Sequence, residues 1–147
     1  MNEIETISEL PVSDSATEQN IERIKEAFNH FEPAEIKTEH FLHGGLYVRT
    51  CYHPKGSVLL GALIRVPTVL IVDGSVDIRS GDAVVEVRGH AVLRGVPGRR
   101  ALVVTYEDSK ATMVFRTDAK TVEEAEEEMT AEYEQLLTRR EKNERSD

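Results

Sequence analysis

Arginine is the residue through which this chain could do chemistry. Between Gly44 and Arg116 stand eight of them, Arg49, Arg65, Arg79, Arg88, Arg94, Arg99, Arg100 and Arg116, beside two lysines. A guanidinium keeps its proton, so it serves neither as a general base nor as a metal ligand. What it does well is hold a carboxylate or phosphate through two parallel hydrogen bonds. The other reactive types are scattered. His30, His40, His43, His53 and His90 never take H-x-H spacing, and His40 and His43, three apart, fall on opposite faces of an extended chain. Cys51 is the single cysteine, which excludes an internal disulfide and a thiolate zinc cluster and suits a reducing cytosol. His53 follows it by two residues, but a nucleophile also needs a third group to orient its base, and none is in view. Gly44-Gly45 and Gly95-Val-Pro-Gly98 lack the Gly-Lys-Ser/Thr ending of a phosphate loop. Glu86, Glu107 and Asp108 are too few, and too close to hairpin turns, for a paired acid/base site.

Charge is divided along the chain. Residues 1–43 carry 3 bases and 10 acids, residues 44–116 carry 10 and 6, and residues 117–147 carry 5 and 11. A basic middle is thus bracketed by two acidic arms. The overall charge of −9 argues against general nucleic-acid binding by phosphate neutralisation. No apolar run approaches the roughly 18 residues of a membrane span, and the acidic opening Met1-Asn-Glu-Ile-Glu-Thr reads against a secretory or transit peptide. A cytoplasmic protein is expected, with 147 residues making one domain with a core of its own.

The elements that must position the arginines are short and β-rich. From Gly45 to Phe115, runs of Val, Ile, Leu, Thr and Tyr are broken every eight to twelve residues by Pro54-Lys-Gly56, Asp73-Gly74, Ser80-Gly81-Asp82, Arg88-Gly89 and Pro97-Gly98. That rhythm predicts an all-β sandwich or barrel, with strands near 45–52, 57–64, 68–73, 75–79, 83–88, 90–94, 100–106 and 111–116. Asp73-Gly74 and Ser80-Gly81-Asp82 read as hairpin turns. Two helices flank the sheet. Ser15-Ala-Thr-Glu18 is a capping box before Ile21, Ile24, Phe28 and Phe31, one face of a helix over 16–31 that Pro33 ends. Thr121-Val-Glu-Glu124 is a second, opening a helix over 121–141 with the stripe Val122, Ala125, Met129, Tyr133, Leu136 and Leu137. Its first turns are loaded with Glu123, Glu124, Glu126, Glu127 and Glu128. The chain therefore divides into a tail (1–14), an N-terminal amphipathic helix (15–33), a β domain (34–118) and an acidic helix with its tail (119–147).

The order of signals resembles a known family. Thr38-Glu-His40-Phe41, Gly45-Leu-Tyr47-Val-Arg49, Pro54-Lys-Gly56-Ser57, Gly61, Asp73-Gly74, Pro97-Gly-Arg-Arg100-Ala101, Tyr106-Glu107-Asp108 and Thr117-Asp118 follow one another over residues 38–128 as in the small single-domain cupin-like (RmlC-like jelly roll) proteins of bacteriophages and prophages. The resemblance implies a mainly β, antiparallel jelly-roll sandwich or barrel with one N-terminal and one C-terminal α-helix. Cupins hold Fe, Mn, Ni or Zn through two histidines in H-x-H spacing, a glutamate and a later histidine. Here no histidine stands between His53 and His90, and Arg116 takes the place of the late one. No metal and no cofactor are therefore expected, and no catalysis.

What the resemblance leaves is an arginine site. Arg65 and Arg116 stand where a cupin projects its ligands inward, and Arg100 matches the family's arginine after Pro-Gly. With Arg49, Tyr106 and His90 they form the candidate set for an anionic, nucleotide-like small molecule. The expected protein is a non-catalytic phage accessory factor working in the host cytoplasm, away from membranes. The two helical stripes point to a homodimer or higher homo-oligomer. Two alternatives differ in class: an interaction or inhibitor module presenting its acidic arms to a basic host protein, and a divergent cupin enzyme.

Overall fold

The computed structural model describes residues 9–10 and 36–139. The expected helix over 16–31 lies outside the described residues, as do most of the tail and the last residues of the chain. Eight strands form: β1 (Glu9–Leu10), β2 (Lys37–His43), β3 (Leu46–His53), β4 (Val58–Leu60), β5 (Thr68–Ser80), β6 (Ala83–Gly95), β7 (Ala101–Thr105) and β8 (Ser109–Arg116). A helix, α1 (Val122–Met129), and a 3-10 turn, Tyr133–Gln135, follow.

The long strands β5 and β6 organise the sheet. They pair with each other from Thr68↔Gly95 to Ser80↔Ala83. Residues 69–73 of β5 also pair with β8, which pairs with β3 and through it with β2. Residues 76–80 pair instead with β7, and β7 with β4. One hairpin thus runs through both layers, as in a jelly roll. Val72, Val76, Ile78, Val85, Val87 and Leu93 pack between the layers, and Tyr47, Met113, Phe115, Ala125 and Met129 continue that core under α1.

Two expectations change here. Residues 68–73 and 75–79 are one strand, not two, and so are 83–88 and 90–94. Asp73-Gly74 is not a hairpin turn. Gly74 pairs with Gly89 across the ladder, with φ of 137° and 116°, and this facing pair lets both strands bend from one layer into the other without breaking. Ser80-Gly81-Asp82 is the true turn, with Gly81 at φ 61°. A Cβ at Gly74 would lie 2.0 Å from Ser109 Oγ, whereas one at Gly89 would meet nothing within 4 Å. Gly74→Ala is accordingly expected to cost more than about 3 kcal/mol, and Gly89→Ala only the backbone strain of about 1–3 kcal/mol, in urea denaturation. The predicted strand at 57–64 is the other change. It stops at Leu60, leaving 61–67 irregular apart from a bridge, Ile64↔Arg99.

Candidate functional site

Alternation along β3 decides which side chains enter the barrel. Tyr47, Arg49 and His53 are buried, half-buried Cys51 shares their face, and Val48, Thr50 and Tyr52 alternate to the other side. Tyr47 is fully buried and Arg49 nearly so, directly across from Phe115 and Met113 of β8.

A buried guanidinium needs a counter-charge, and α1 supplies it. Thr121 caps the helix by accepting from the Glu124 N–H at 3.1 Å, which sets the phase of the turns that follow. Val122, Ala125, Glu126 and Met129 then share one face, and that face lies on the barrel. Glu126 is only 1% exposed. Its Oε2 accepts from Arg49 Nη1 at 2.9 Å and from the Thr138 hydroxyl, and its Oε1 accepts from Arg139 Nε at 2.8 Å. Arg49 Nη1 also donates to the Tyr47 hydroxyl at 3.0 Å, and His40 Nδ1 lies 2.9 Å from the same oxygen. Burial by itself would raise the Glu126 carboxyl, but the hydrogen bonds from Thr138 and Arg139 and the charge of Arg49 hold it below its ordinary range. The same burial pushes Tyr47 up to about 12 and lowers His40.

Arg99 is another buried guanidinium, 3% exposed. It lies against Gly95, where a Cβ would come within 2.5 Å of its Cζ. Nη2 donates to Thr68 Oγ1 at 2.7 Å and approaches Met113 Sδ at 3.7 Å, and Nη1 donates to the Val96 carbonyl at 3.3 Å. Among the described residues no carboxylate pairs with it, and burial alone lowers it to about 10, so it remains charged at neutral pH. Met113 sits between Arg49 and Arg99, registered with the first and touching the second. Three guanidiniums are thus buried among the described residues, those of Arg49, Arg99 and Arg100, and Glu126 meets that of Arg49 together with Arg139 at the rim.

The residues singled out from sequence are dispersed by the fold. Arg65 caps the C-terminal end of α1, donating from Nε to the Glu128 carbonyl at 3.2 Å and from Nη2 to that of Glu127, while its own N–H reaches Met129 O at 2.9 Å. Arg100 is bidentate on Glu132, at 2.9 and 2.8 Å. These two flank the helix end, each on acceptors of its own chain. Arg116 is exposed at the end of β8, opposite Leu46. Tyr106 donates to Asp77 on the outside of the barrel at 2.7 Å under the Arg88 guanidinium, and His90 pairs with Asp73 at 2.6 Å, also outside. Of the six, Arg49 and Arg100 are buried, the first on Glu126 and the second on Glu132. Glu126 and Arg99 were not singled out.

The structure also interrupts the C-terminal helix, expected over 121–141. Its first stretch stops at Met129, where Arg65 takes its last carbonyls and buried Thr130 turns the chain so that Glu132 meets Arg100, and helical backbone resumes at 137–139. The donor set inside the barrel does not suit a metal ion. It is built of guanidiniums, a phenol, a thioether and the single imidazole of His40 around one carboxylate, and among the described residues no three His, Cys, Asp or Glu side chains gather to hold one.

No protein-family model matches the chain, and no curated protein matches it. Solved structures do. A protein named for ethanolamine utilization, protein Q, of Salmonella typhimurium LT2 is similar at 10% identity over 63% of this chain and 77% of that one, with a TM-score of 0.51. A cupin superfamily protein of Desulfitobacterium hafniense DCB-2 is similar at 11% identity over 60% and 83%, TM-score 0.48. An RmlC-like cupin with a double-stranded β-helix fold, from Methanocaldococcus jannaschii, is similar at 10% over 56% and 81%, TM-score 0.48. The fold is cupin-like. Likeness at such identities concerns the fold, and what the cupin-like barrel does is decided by the groups inside it. No helix among the described residues is long and apolar enough to cross a membrane.

The interior of this cupin-like barrel carries a pH signature. His40 and His53 are both lowered by burial from an ordinary value of 6.5, so between their folded values and 6.5 the unfolded chain binds more protons than the folded one. Stability is therefore full above about pH 6.5 and falls as the pH drops below it. Glu126, held below its ordinary 4.5, adds a further loss in stronger acid, of the same sign. The urea midpoint is expected to be lower at about pH 5 than at about pH 7, and His53→Gln should flatten that first step.

Proposed function

We propose that the protein is a metal-free, non-catalytic binding protein that holds a small anion inside its cupin-like barrel against Arg99. One observation carries this reading. Arg99 is a buried, charged guanidinium with no carboxylate of the described residues beside it, and a charge taken out of water is costly until an opposite charge meets it. Arg49 does not have that need, because Glu126 meets it. An anion at Arg99 would supply what Glu126 supplies to Arg49. The fork of a guanidinium favours a planar or phosphorylated group, so a phosphate-bearing molecule such as a nucleotide is the ligand class we assign. Arg65 and Arg100, committed to carbonyls and to Glu132, leave the binding set, and Arg99 takes their place. With the resemblance to phage-borne relatives, the same reading makes the protein an accessory factor acting in a host cell.

The acidic-arm alternative has less to stand on. Glu126 is buried, and Glu124, Glu127 and Glu128 accept hydrogen bonds from Lys120, Arg139 and Thr117 of the same chain. The two readings part in a thermal-shift series with inorganic phosphate and adenosine monophosphate. A ligand that binds only the folded state raises the melting temperature by mass action. A rise saturating with concentration supports the anion reading, and a flat response to both probes together with capture of a basic protein on the acidic helix supports the alternative.

A further inference from the structure

A cavity of about 630 Å³ lies where β3 ends and β8 begins, a size within the roughly 300–1,000 Å³ usual for small-molecule sites. Local sequence shapes it. Pro54 turns the chain out of β3, and Ser109 opens β8 with its side chain seated against Gly74, where a Cβ would leave it no room. Arg99 is not one of its walls. That guanidinium touches Met113, four residues along β8 from Ser109, or about 13 Å of strand.

The register sets Lys37, Tyr52, Lys110 and Asp73 in one row across four strands, and all four line the cavity. Two of these charges are already met. Lys37 stands 3.7 Å from Glu39 and over the Tyr52 ring, and Asp73 holds His90 at 2.6 Å. Lys110 has no carboxylate beside it among the described residues, and Asp108, also in the wall, accepts the Lys55 N–H at 2.9 Å but meets no cation there. One cation and one carboxylate thus remain, beside the less polar surface of Tyr52 and Pro54. His53 marks the cavity as a site. It lines the wall at 5% exposure, and its Nδ1 is sealed from solvent with no hydrogen-bond partner among the described residues. Burial keeps the ring neutral at neutral pH, so it offers one donor and one acceptor. A polar ring buried without a partner costs free energy until some group meets it.

We infer that this cavity binds a small zwitterion, a free amino acid with an aromatic side chain, its carboxylate on Lys110, its ammonium on Asp108 and its ring against Tyr52 and Pro54, with His53 as the neutral hydrogen-bonding group of the wall. A simple anion would face Asp108 unmatched, and a simple cation would face Lys110. A ligand of both signs meets the two together. The test is calorimetric titration of the full-length protein with three probes that share one ring: L-phenylalanine, 3-phenylpropionate, which lacks the ammonium, and phenethylamine, which lacks the carboxylate. L-Phenylalanine should bind saturably, and each of the others about tenfold or more weakly. Lys110→Met and Asp108→Asn should each weaken L-phenylalanine by about tenfold or more. Both positions are exposed, and asparagine keeps an acceptor for the Lys55 N–H. Arg99→Met should bind L-phenylalanine as wild type does, so this site and the anion at Arg99 stand or fall separately. No saturable heat with L-phenylalanine up to about 10 mM would overturn the proposal. So would 3-phenylpropionate binding as tightly as L-phenylalanine, or binding unchanged in Lys110→Met.

Discussion

Glu126→Leu is expected to destabilise the protein by about 3–5 kcal/mol, the largest effect of any single carboxylate among the described residues. The carboxylate accepts hydrogen bonds from Arg49, Arg139 and Thr138, and without it Arg49, itself buried, keeps its charge with only the Tyr47 hydroxyl beside it. The cost is the stranded cation more than the lost pair. Arg49→Met combined with Glu126→Leu should therefore recover a good part of the loss, with a coupling of about 2 kcal/mol or more in a double-mutant cycle. Glu124→Ala, on the exposed side of the same helix, should change the unfolding free energy in urea by no more than about 0.5 kcal/mol. Equal losses from Glu126→Leu and Glu124→Ala would contradict the buried position of Glu126.

The second large effect has the opposite sign. In buffer free of polyvalent anions, Arg99→Met is expected to stabilise the protein by about 1–3 kcal/mol, because an apolar chain of similar length replaces a desolvated charge that has no carboxylate partner among the described residues. Arg49→Met, by the same reasoning, should destabilise it, since Glu126 would be left deep in the barrel with one guanidinium fewer. Two substitutions of one kind, flanking the same methionine, are thus expected to move stability in opposite directions. A stabilised Arg99→Met that no longer responds to phosphate is the pattern of a residue kept for binding at a cost to the fold. A loss of about 2 kcal/mol or more would mean that its bonds to Thr68 and Val96 outweigh its burial, making it a structural residue.

What could be read from sequence, and what could not, follows from the range of the interactions involved. The Ser80-Gly81-Asp82 turn and the Thr121 cap are local, set by residues within a turn of one another, and both form where expected. Gly74 and Gly89 also look like local turn residues. Their role depends on their facing each other across the ladder, a relation between positions fifteen residues apart that no single stretch reveals. An all-β sandwich or barrel was legible from the rhythm of strand breakers, the jelly roll came from the family resemblance, and β2 was missed because Lys37–His43 mixes charge and histidine with its apolar residues.

The site was less legible for a similar reason. Glu126 was counted with the solvated glutamates around it, although it follows Val122 by four and precedes Met129 by three, which places it on the apolar stripe. That spacing was a usable signal. Arg99 and Arg100 are adjacent, and nothing in their types says which takes a carboxylate. The fold decides it, with Arg100 reaching Glu132 beyond the helix and Arg99 turning in over Gly95.

Native mass spectrometry of gently purified protein, wild type and Arg99→Met side by side, tests the anion site most directly. Wild type should carry one small anion per chain, lost on denaturation and identifiable in the released fraction, and Arg99→Met should carry none. Identical masses for the two proteins, after allowing for the substitution itself, would contradict an anion held at Arg99.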